Sequence, residues 1–251
     1  MKVCLMCRGD YSGPDWRCPA CGFEPPLLGA VRGFAPELAA TECGFRPELF
    51  GELARLEAAN FWFRARNRLI AWAIRKYFAQ LKSMLEVGCG TGFVHAGVRA
   101  AFRGIRLAAC EVSAAGLPYA AARVPGIELY QMDARKLPFK EEFDVVGAFD
   151  VLEHIAEDAK VLSELHRAIV PGGGIVVTVP QHPFLWSIQD EQACHVRRYR
   201  ARELRDKVQA AGFTILRMTS FVTLLLPAML LARRRHQDPS SFDATAELKV
   251  V

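Results

Sequence analysis

The chain has 251 residues, 51% of them hydrophobic and 24% charged, with a formal net charge of +5. That is enough for one α/β domain and a small appendage, and too apolar for intrinsic disorder. The mild positive charge permits an anionic partner without demanding one. The longest apolar run, Phe221 to Ala232 with Pro227 inside it, falls short of the roughly 20 residues that a bilayer-spanning helix needs.

Residues 1–26 read as a separate module. Cys4-x2-Cys7 and Cys18-x2-Cys21 form two knuckles ten residues apart. Two such knuckles can place four thiolates at the corners of a tetrahedron, which suits a structural zinc ion, with iron as the rival metal. Gly9 and Gly22 follow the pairs and are expected to relieve the sharp turns. A closed four-cysteine site stabilises rather than catalyses. Lys2, Arg8 and Arg17 are balanced by Asp10, Asp15 and Glu24, so a strong grip on nucleic acid is not expected and the module reads as a folding staple or lid. Cys43, Cys89, Cys110 and Cys194 are scattered. No charged-then-apolar leader follows Met1, so reduced thiols and a cytoplasmic location are expected.

Residues 27–60 read as a polar connector. From Phe61 the stretch FWFRARNRLIAWAIRKYFAQL has the period of an amphipathic helix. Apolar runs at 83–87, 105–110, 127–131, 143–149 and 174–179 read as strands, and 93–102, 114–123 and 158–169 as helices between them. That β-α-β-α order implies a mostly parallel sheet with helices on both faces. A helix over 201–211 and a sixth strand over 213–219 follow, so the main domain spans 61–220.

The run MLEV passes directly into Gly88-Cys89-Gly90-Thr91-Gly92 and then a helix. Glycines there allow a tight turn and let a ligand approach the helix N-terminus. The next strand closes on Glu111, where a carboxylate can accept both ribose hydroxyls of a nucleoside. On Glu86, Gly88, Gly90, Gly92 and Glu111 the chain resembles class I S-adenosylmethionine (SAM)-dependent methyltransferases of the type 11 group. The later motifs QMDARKLPF, FDVVGAFDVLEHI and PGGGIVVTVP continue the likeness in order, over roughly residues 61 to 219. The resemblance implies a Rossmann-like doubly wound sheet carrying a small N-terminal zinc ribbon. It implies SAM as cofactor: the glycine loop at the methionine part, Glu111 and Val112 at the ribose, Asp133 and Ala134 at the adenine, and Asp150 bordering the site. It also suggests Arg64, beside the aromatic Phe61-Trp62-Phe63, for the methionine carboxylate. A G-x-G-x-G loop departs from the G-x-G-x-x-G of nicotinamide dinucleotide sites.

Asp150, Glu153 and His154 stand where the family places acceptor-facing groups, and His154 is a candidate base. The carboxylates and His154 could instead hold a divalent ion, because some quinone-pathway O-methyltransferases have a similar D-x-x-E-H stretch; a purely structural role in opening a helix is the third possibility. His182 follows the fifth strand. His195, in DEQACHVRRYR, is a second catalytic candidate, and Arg197, Arg198 and Tyr199 could either bind an anionic acceptor or fix the loop by pairing with Asp190 and Glu191.

The segment 221–251 departs from the family. FVTLLLPAMLLARRR can form an interfacial helix, so 221–235 is a candidate peripheral membrane contact. AELKVV at the end is too short to assign as a last strand. The expected function is methyl transfer to a small-molecule, saccharide or lipid-linked acceptor, on oxygen. A zinc-ribbon RNA methyltransferase is one alternative, although Asp150-Val151-Leu152 stands where a base-pocket motif would be. A SAM-binding scaffold without turnover is another.

Overall fold

The computed structural model describes residues 1–40 and 46–235. Cys43 and 236–251, including the AELKVV end, lie outside them. A small antiparallel pair, β1 (Lys2–Val3) and β2 (Asp10–Tyr11), carries the cysteine module. The main sheet contains β3 (Leu27–Leu28), β4 (Val31–Gly33), β5 (Ser83–Val87), β6 (Arg106–Glu111), β7 (Glu128–Gln131), β8 (Phe143–Phe149) and β9 (Ile169–Thr178). Its order is β3-β4-β7-β6-β5-β8-β9, parallel except for the β3–β4 hairpin. This is the doubly wound arrangement expected from the sequence. The chain turns one way from β5 to β6 and the other way to β8, so a crevice opens at their carboxyl ends.

The helices are α1 (Leu49–Leu56), α2 (Phe61–Tyr77), α3 (Phe93–Ala101), α4 (Leu117–Arg123), α5 (Asp158–Ala168), α6 (Ile188–Gln192), α7 (Ala201–Ala210) and α8 (Leu226–Arg235). No helix of the described residues is long and apolar enough to cross a membrane. Helix α2 starts where the Asn60 side chain accepts the Trp62 N–H at 2.9 Å, satisfying one of the donors that a helix start leaves open.

Strand alternation divides the core. Leu85, Val87, Val146 and Ala148 join a cluster with Leu162 and Leu165 of α5. Met84, Val145 and Phe149 face the other way, onto Ile70 and Ile74 of α2 and Val94 and Val98 of α3. Fully burying one such side chain is worth about 1.5–3 kcal/mol, so both helical layers are anchored by the same strands.

Three expectations change. The 27–60 stretch, read as a connector, supplies β3, β4 and α1. The residues 213–219, read as a strand, have no ladder partner among the described residues. Phe213 and Ile215 pack against the core from an extended segment; alternation places side chains, but a strand also needs a neighbour at ladder distance. The strand expected at 174–179 is β9, which starts earlier, at Ile169, and takes in Pro171–Gly173 between the Phe143–Ile169 and Val145–Gly174 pairings.

Candidate cofactor and acceptor site

A groove of about 1980 Å³ opens at the carboxyl ends of β5, β6 and β8 and continues along β9. Its floor is the glycine loop. Gly88, Gly90 and Gly92 have φ of 71°, 51° and 74°, a region other residues avoid. A Cβ on Gly88 would stand 2.4 Å from Val151 Cγ2, whereas one on Gly90 would meet nothing nearer than Phe50 at 3.9 Å. The open side of Gly90 is therefore the side a ligand can approach.

Glu111 holds this loop from β6. One oxygen accepts the Gly90 N–H at 3.0 Å; the other accepts Val112 N–H at 2.8 Å and Ser113 N–H at 3.3 Å. Burial pushes its carboxyl above the ordinary range, and those three N–H groups pull against it. Asp133 is engaged by Arg135, whose Nε donates at 2.9 Å and which also reaches Glu157. Ala134 is buried beside it. Glu86 is buried and bonded to the His95 ring, while the other His95 nitrogen reaches Ala108 O at 3.0 Å. Its carboxylate thus braces α3 against the end of β5.

Arg64 does not reach the groove. It is exposed on α2, and two residues further on Arg66 is buried and ion-paired with Asp150. Two residues turn a helix by about 200°, so only one of these arginines can face inward. Arg66 lies 4.6 Å over the Trp62 ring and 5.5 Å from that of Phe63. Asp150 also accepts from Thr178 Oγ1 at 3.0 Å and has a φ of 58°, a strained backbone of the kind found at ligand sites.

Beyond Asp150, Glu153 is 0% exposed, and both its carboxylate oxygens and His154 Nδ1 are buried without hydrogen-bond partners among the described residues. Burial, then the charge of Asp150, pushes Glu153 well above the carboxylate range. Burial, then His195, pushes His154 down to about 4. The two imidazoles meet edge to face, 4.8 Å between centroids. His195 Nδ1 bonds to Asp190 at 2.9 Å, and Arg198 Nε donates to the same oxygen at 2.6 Å. Arg197 and Tyr199 bond to Asp158 instead. The arginines and tyrosine therefore fix the loop, with Asp158 in place of the expected Glu191. His182 packs on Phe184 and stays outside the His154–His195 pair.

The α1 part of the roof has no motif in the sequence. Phe50 of α1 is buried above Gly90 and Gly116. Thr91 Oγ1 donates to Glu57 at 2.6 Å, and Arg123 bonds to Glu57, to Thr91 and to Ala54 O. This network fastens α1 to the glycine loop.

In the module, Cys4 and Cys21 sulfurs are 3.6 Å apart, those of Cys7 and Cys18 are 3.7 Å apart, and all four lie within 4.8 Å of one another. Arg8, with φ 63°, takes the left-handed turn expected of Gly9; Gly22, with φ 74°, takes the other. Trp16 reaches out of the module into the main core, stacking edgewise on Phe34, Tyr130 and Phe139.

Residues 85–177 match the family model described as a methyltransferase domain. A protein of Mycolicibacterium smegmatis, named a probable S-adenosylmethionine-dependent methyltransferase, is 28% identical over 163 residues, 64% of this chain and 62% of its own length. The ubiquinone biosynthesis O-methyltransferase of Pseudomonas paraeruginosa is 31% identical over 111 residues, 41% of this chain and 46% of its own. The chain thus spans less than two thirds of these relatives. Among solved structures, Haemonchus contortus phosphoethanolamine N-methyltransferase 2 in complex with SAM shares the fold, with a TM-score of 0.61, 22% identity, and coverage of 89% of this chain and 55% of that one. The glycine loop, the Glu111 clasp, the sheet order and these matches have one reading: the chain carries a class I SAM-dependent methyltransferase domain.

Proposed function

We propose that this chain transfers the methyl group of SAM to an oxygen of a small-molecule, saccharide or lipid-linked acceptor, with His195 as the proton acceptor. The observation that carries the reading is the His195–Asp190 bond. An imidazole whose Nδ1–H is held by a buried carboxylate keeps its Nε2 lone pair for a proton. A hydroxyl must lose a proton to accept a methyl group, whereas a neutral amine can attack without a base. The partial relative from P. paraeruginosa is named an O-methyltransferase.

The residues present suit SAM. Gly88–Gly92 and Arg66 would hold its methionine part, Glu111 and Val112 the ribose, and Asp133 and Ala134 the adenine. When bound it supplies a methyl group on a positively charged sulfur. The chain's own part is to align the acceptor in the groove and exclude water beneath Phe50 and Trp62.

Cys4, Cys7, Cys18 and Cys21 would hold one structural zinc ion. Zn–S bonds of about 2.3 Å in a tetrahedron space the sulfurs about 3.8 Å apart, close to the spacings of the two pairs. Lys2 does not favour an RNA-binding role for the module, because its ammonium is bonded to the carbonyls of Gly13, Pro14 and Asp15.

A second reading, a divalent cation between Glu153, His154 and His195, is favoured by the unpartnered Glu153 carboxylate; one donor atom from each residue lies within 4.8 Å of the others. Titration with SAM and with S-adenosylhomocysteine, then an acceptor screen read by S-adenosylhomocysteine release, tests the main reading. Micromolar binding without turnover on any acceptor would favour a scaffold role. Activity abolished by chelation and restored by added Mg²⁺, Mn²⁺ or Zn²⁺, with restoration lost in Glu153→Gln, would favour the metal reading.

A further inference from the structure

Helix α2 has two sharply different faces. Arg66, Asn67, Ile70 and Ile74 are buried. The exposed positions are Phe61, Arg64, Arg68, Trp72, Arg75 and Lys76, whose spacing of three or four residues forms one stripe along the helix. The stripe holds cations and aromatics and no carboxylate. Between Glu57 and Glu111 the sequence has nine Lys and Arg and a single acidic residue, Glu86, which is buried against His95. Arg64 and Arg68 are one turn apart, an arrangement that costs an isolated helix about 0.2–0.5 kcal/mol. Exposed Arg99 and Arg103 extend the positive face beside α3.

A second, apolar feature adjoins it. Arg217 lies 5.4 Å over the Trp72 ring, and Phe221 is 6.5 Å from Trp62. Around this seam Leu216, Leu224, Leu225 and Leu231 are exposed, Leu224 at 96%. No acidic residue occurs between Asp206 and Asp238.

We propose that the α2 stripe and the leucines of 216–231 form one face that docks on an anionic lipid bilayer. The arginines meet lipid phosphates, and Phe61, Trp72 and the leucines enter the boundary between headgroups and acyl chains. A nucleic acid would use the cations and stack on the aromatics, but it offers no apolar layer for exposed leucines; a bilayer boundary takes both. The face borders the groove mouth through Trp62 and Phe63, so a docked molecule would present its site at the membrane surface. This inference stands on a surface separate from the catalytic cluster and does not rest on the acceptor reading.

The test is co-sedimentation of the whole chain with phosphatidylcholine vesicles, with and without phosphatidylglycerol, at low and high salt. Anionic vesicles are expected to capture the chain and neutral ones to leave it in solution. Each cation near such a surface contributes roughly fivefold in partitioning, so Arg68→Glu/Arg75→Glu is expected to weaken capture by roughly 100-fold or more. Trp72→Ala/Leu224→Ser is expected to weaken it by a smaller factor that persists at high salt. S-adenosylhomocysteine affinity should stay within twofold in both variants, which verifies their fold. Equal capture by neutral vesicles, no loss on charge reversal, or binding of single-stranded RNA without vesicle binding would each overturn the proposal.

Discussion

Asp190 accepts from His195 Nδ1 at 2.9 Å, and the short stretch that holds both residues is pinned from several sides. The His195 N–H bonds back to Asp190 O at 2.8 Å, Val196 N–H bonds to Glu153 O at 2.8 Å, and Ser187 N–H bonds to Asp190 at 3.0 Å. The ring is held in one orientation before any acceptor arrives. His195→Gln should therefore keep S-adenosylhomocysteine affinity within twofold while lowering kcat on a hydroxyl acceptor by about 10²–10³. Unchanged kcat on such an acceptor would remove His195 from the chemistry. Asp190→Asn should lower kcat as well, and should also lower Tm, because the buried Arg198 guanidinium loses its carboxylate.

The two loop glycines separate binding from folding. Gly90 faces open space, so Gly90→Arg should abolish cofactor binding in calorimetric titration, with a loss of Tm limited to the backbone strain of its left-handed φ of 51°. Gly88→Ala should do the reverse first. Its methyl group would stand 2.4 Å from Val151 Cγ2 at a φ of 71°, an overpacked and strained position costing about 1–3 kcal/mol. If Gly90→Arg bound SAM with native affinity, the loop would not be the cofactor cradle.

Most of the central strands were legible because parallel strands covered on both faces read as near-continuous apolar runs, as β6 and β8 do. By contrast, ELYQ of β7 is polar at both ends, and β9 was readable only from Gly174, past its Pro171–Gly173 stretch. The strands β3 and β4 were not, since two or three residues cannot display a period. Which arginine of α2 faces inward depends on the phase of the helix. Arg66 shares its face with Ile70 and Ile74 at intervals of four, a signal present in the sequence, whereas its tie to Asp150 joins residues 84 positions apart. Glu86 stands two residues from Met84 and so leaves β5 on the α3 side. The family motif named the residue but not the direction of its side chain. Asp190 was visible only as a possible loop partner, since nothing in its spacing announced that its carboxylate would orient His195.

The cysteine module is part of the domain's core. Trp16 is buried among Phe34, Tyr130 and Phe139, Val3 N–H bonds to Pro138 O at 3.0 Å, and the N-terminal amine pairs with Glu142 at 2.5 Å. Cys18→Ser should abolish the proposed zinc binding, measured by elemental analysis, and should lower the Tm of the whole domain in a single transition. Trp16→Ala should act similarly without touching the thiolates, at a cost of about 3–5 kcal/mol. Two separate thermal transitions in the native chain, with only the lower one moved by Cys18→Ser, would show that the module folds independently.

Acid sensitivity should concentrate at Asp158. It is buried and accepts from Tyr199 OH at 2.7 Å and Lys207 Nζ at 2.5 Å, with Arg197 at 2.6 Å. Burial alone would raise its carboxyl, but the bonds from Lys207 and Tyr199 and the charge of Arg197 outweigh it and hold it below the ordinary value of 3.8. A carboxyl depressed in the folded state contributes stability above its unfolded value and loses that contribution as pH falls through the folded one. The Asp158 contribution should therefore be complete near neutrality, begin to fall as pH drops towards about 4, and end only below the folded value. Asp158→Asn is expected to cost about 3 kcal/mol at pH 7, by removing one partner of a buried charged network, and clearly less at pH 3, where the unfolded carboxyl is mostly protonated. Because Tyr199 also bonds to Leu152 O at 3.2 Å, the same variant should loosen the turn carrying Glu153 and His154 and lower kcat at neutral pH. Denaturant melts of both proteins at the two pH values decide it: an equal difference at pH 3 and pH 7 would mean that Asp158 acts through packing and not through its charge.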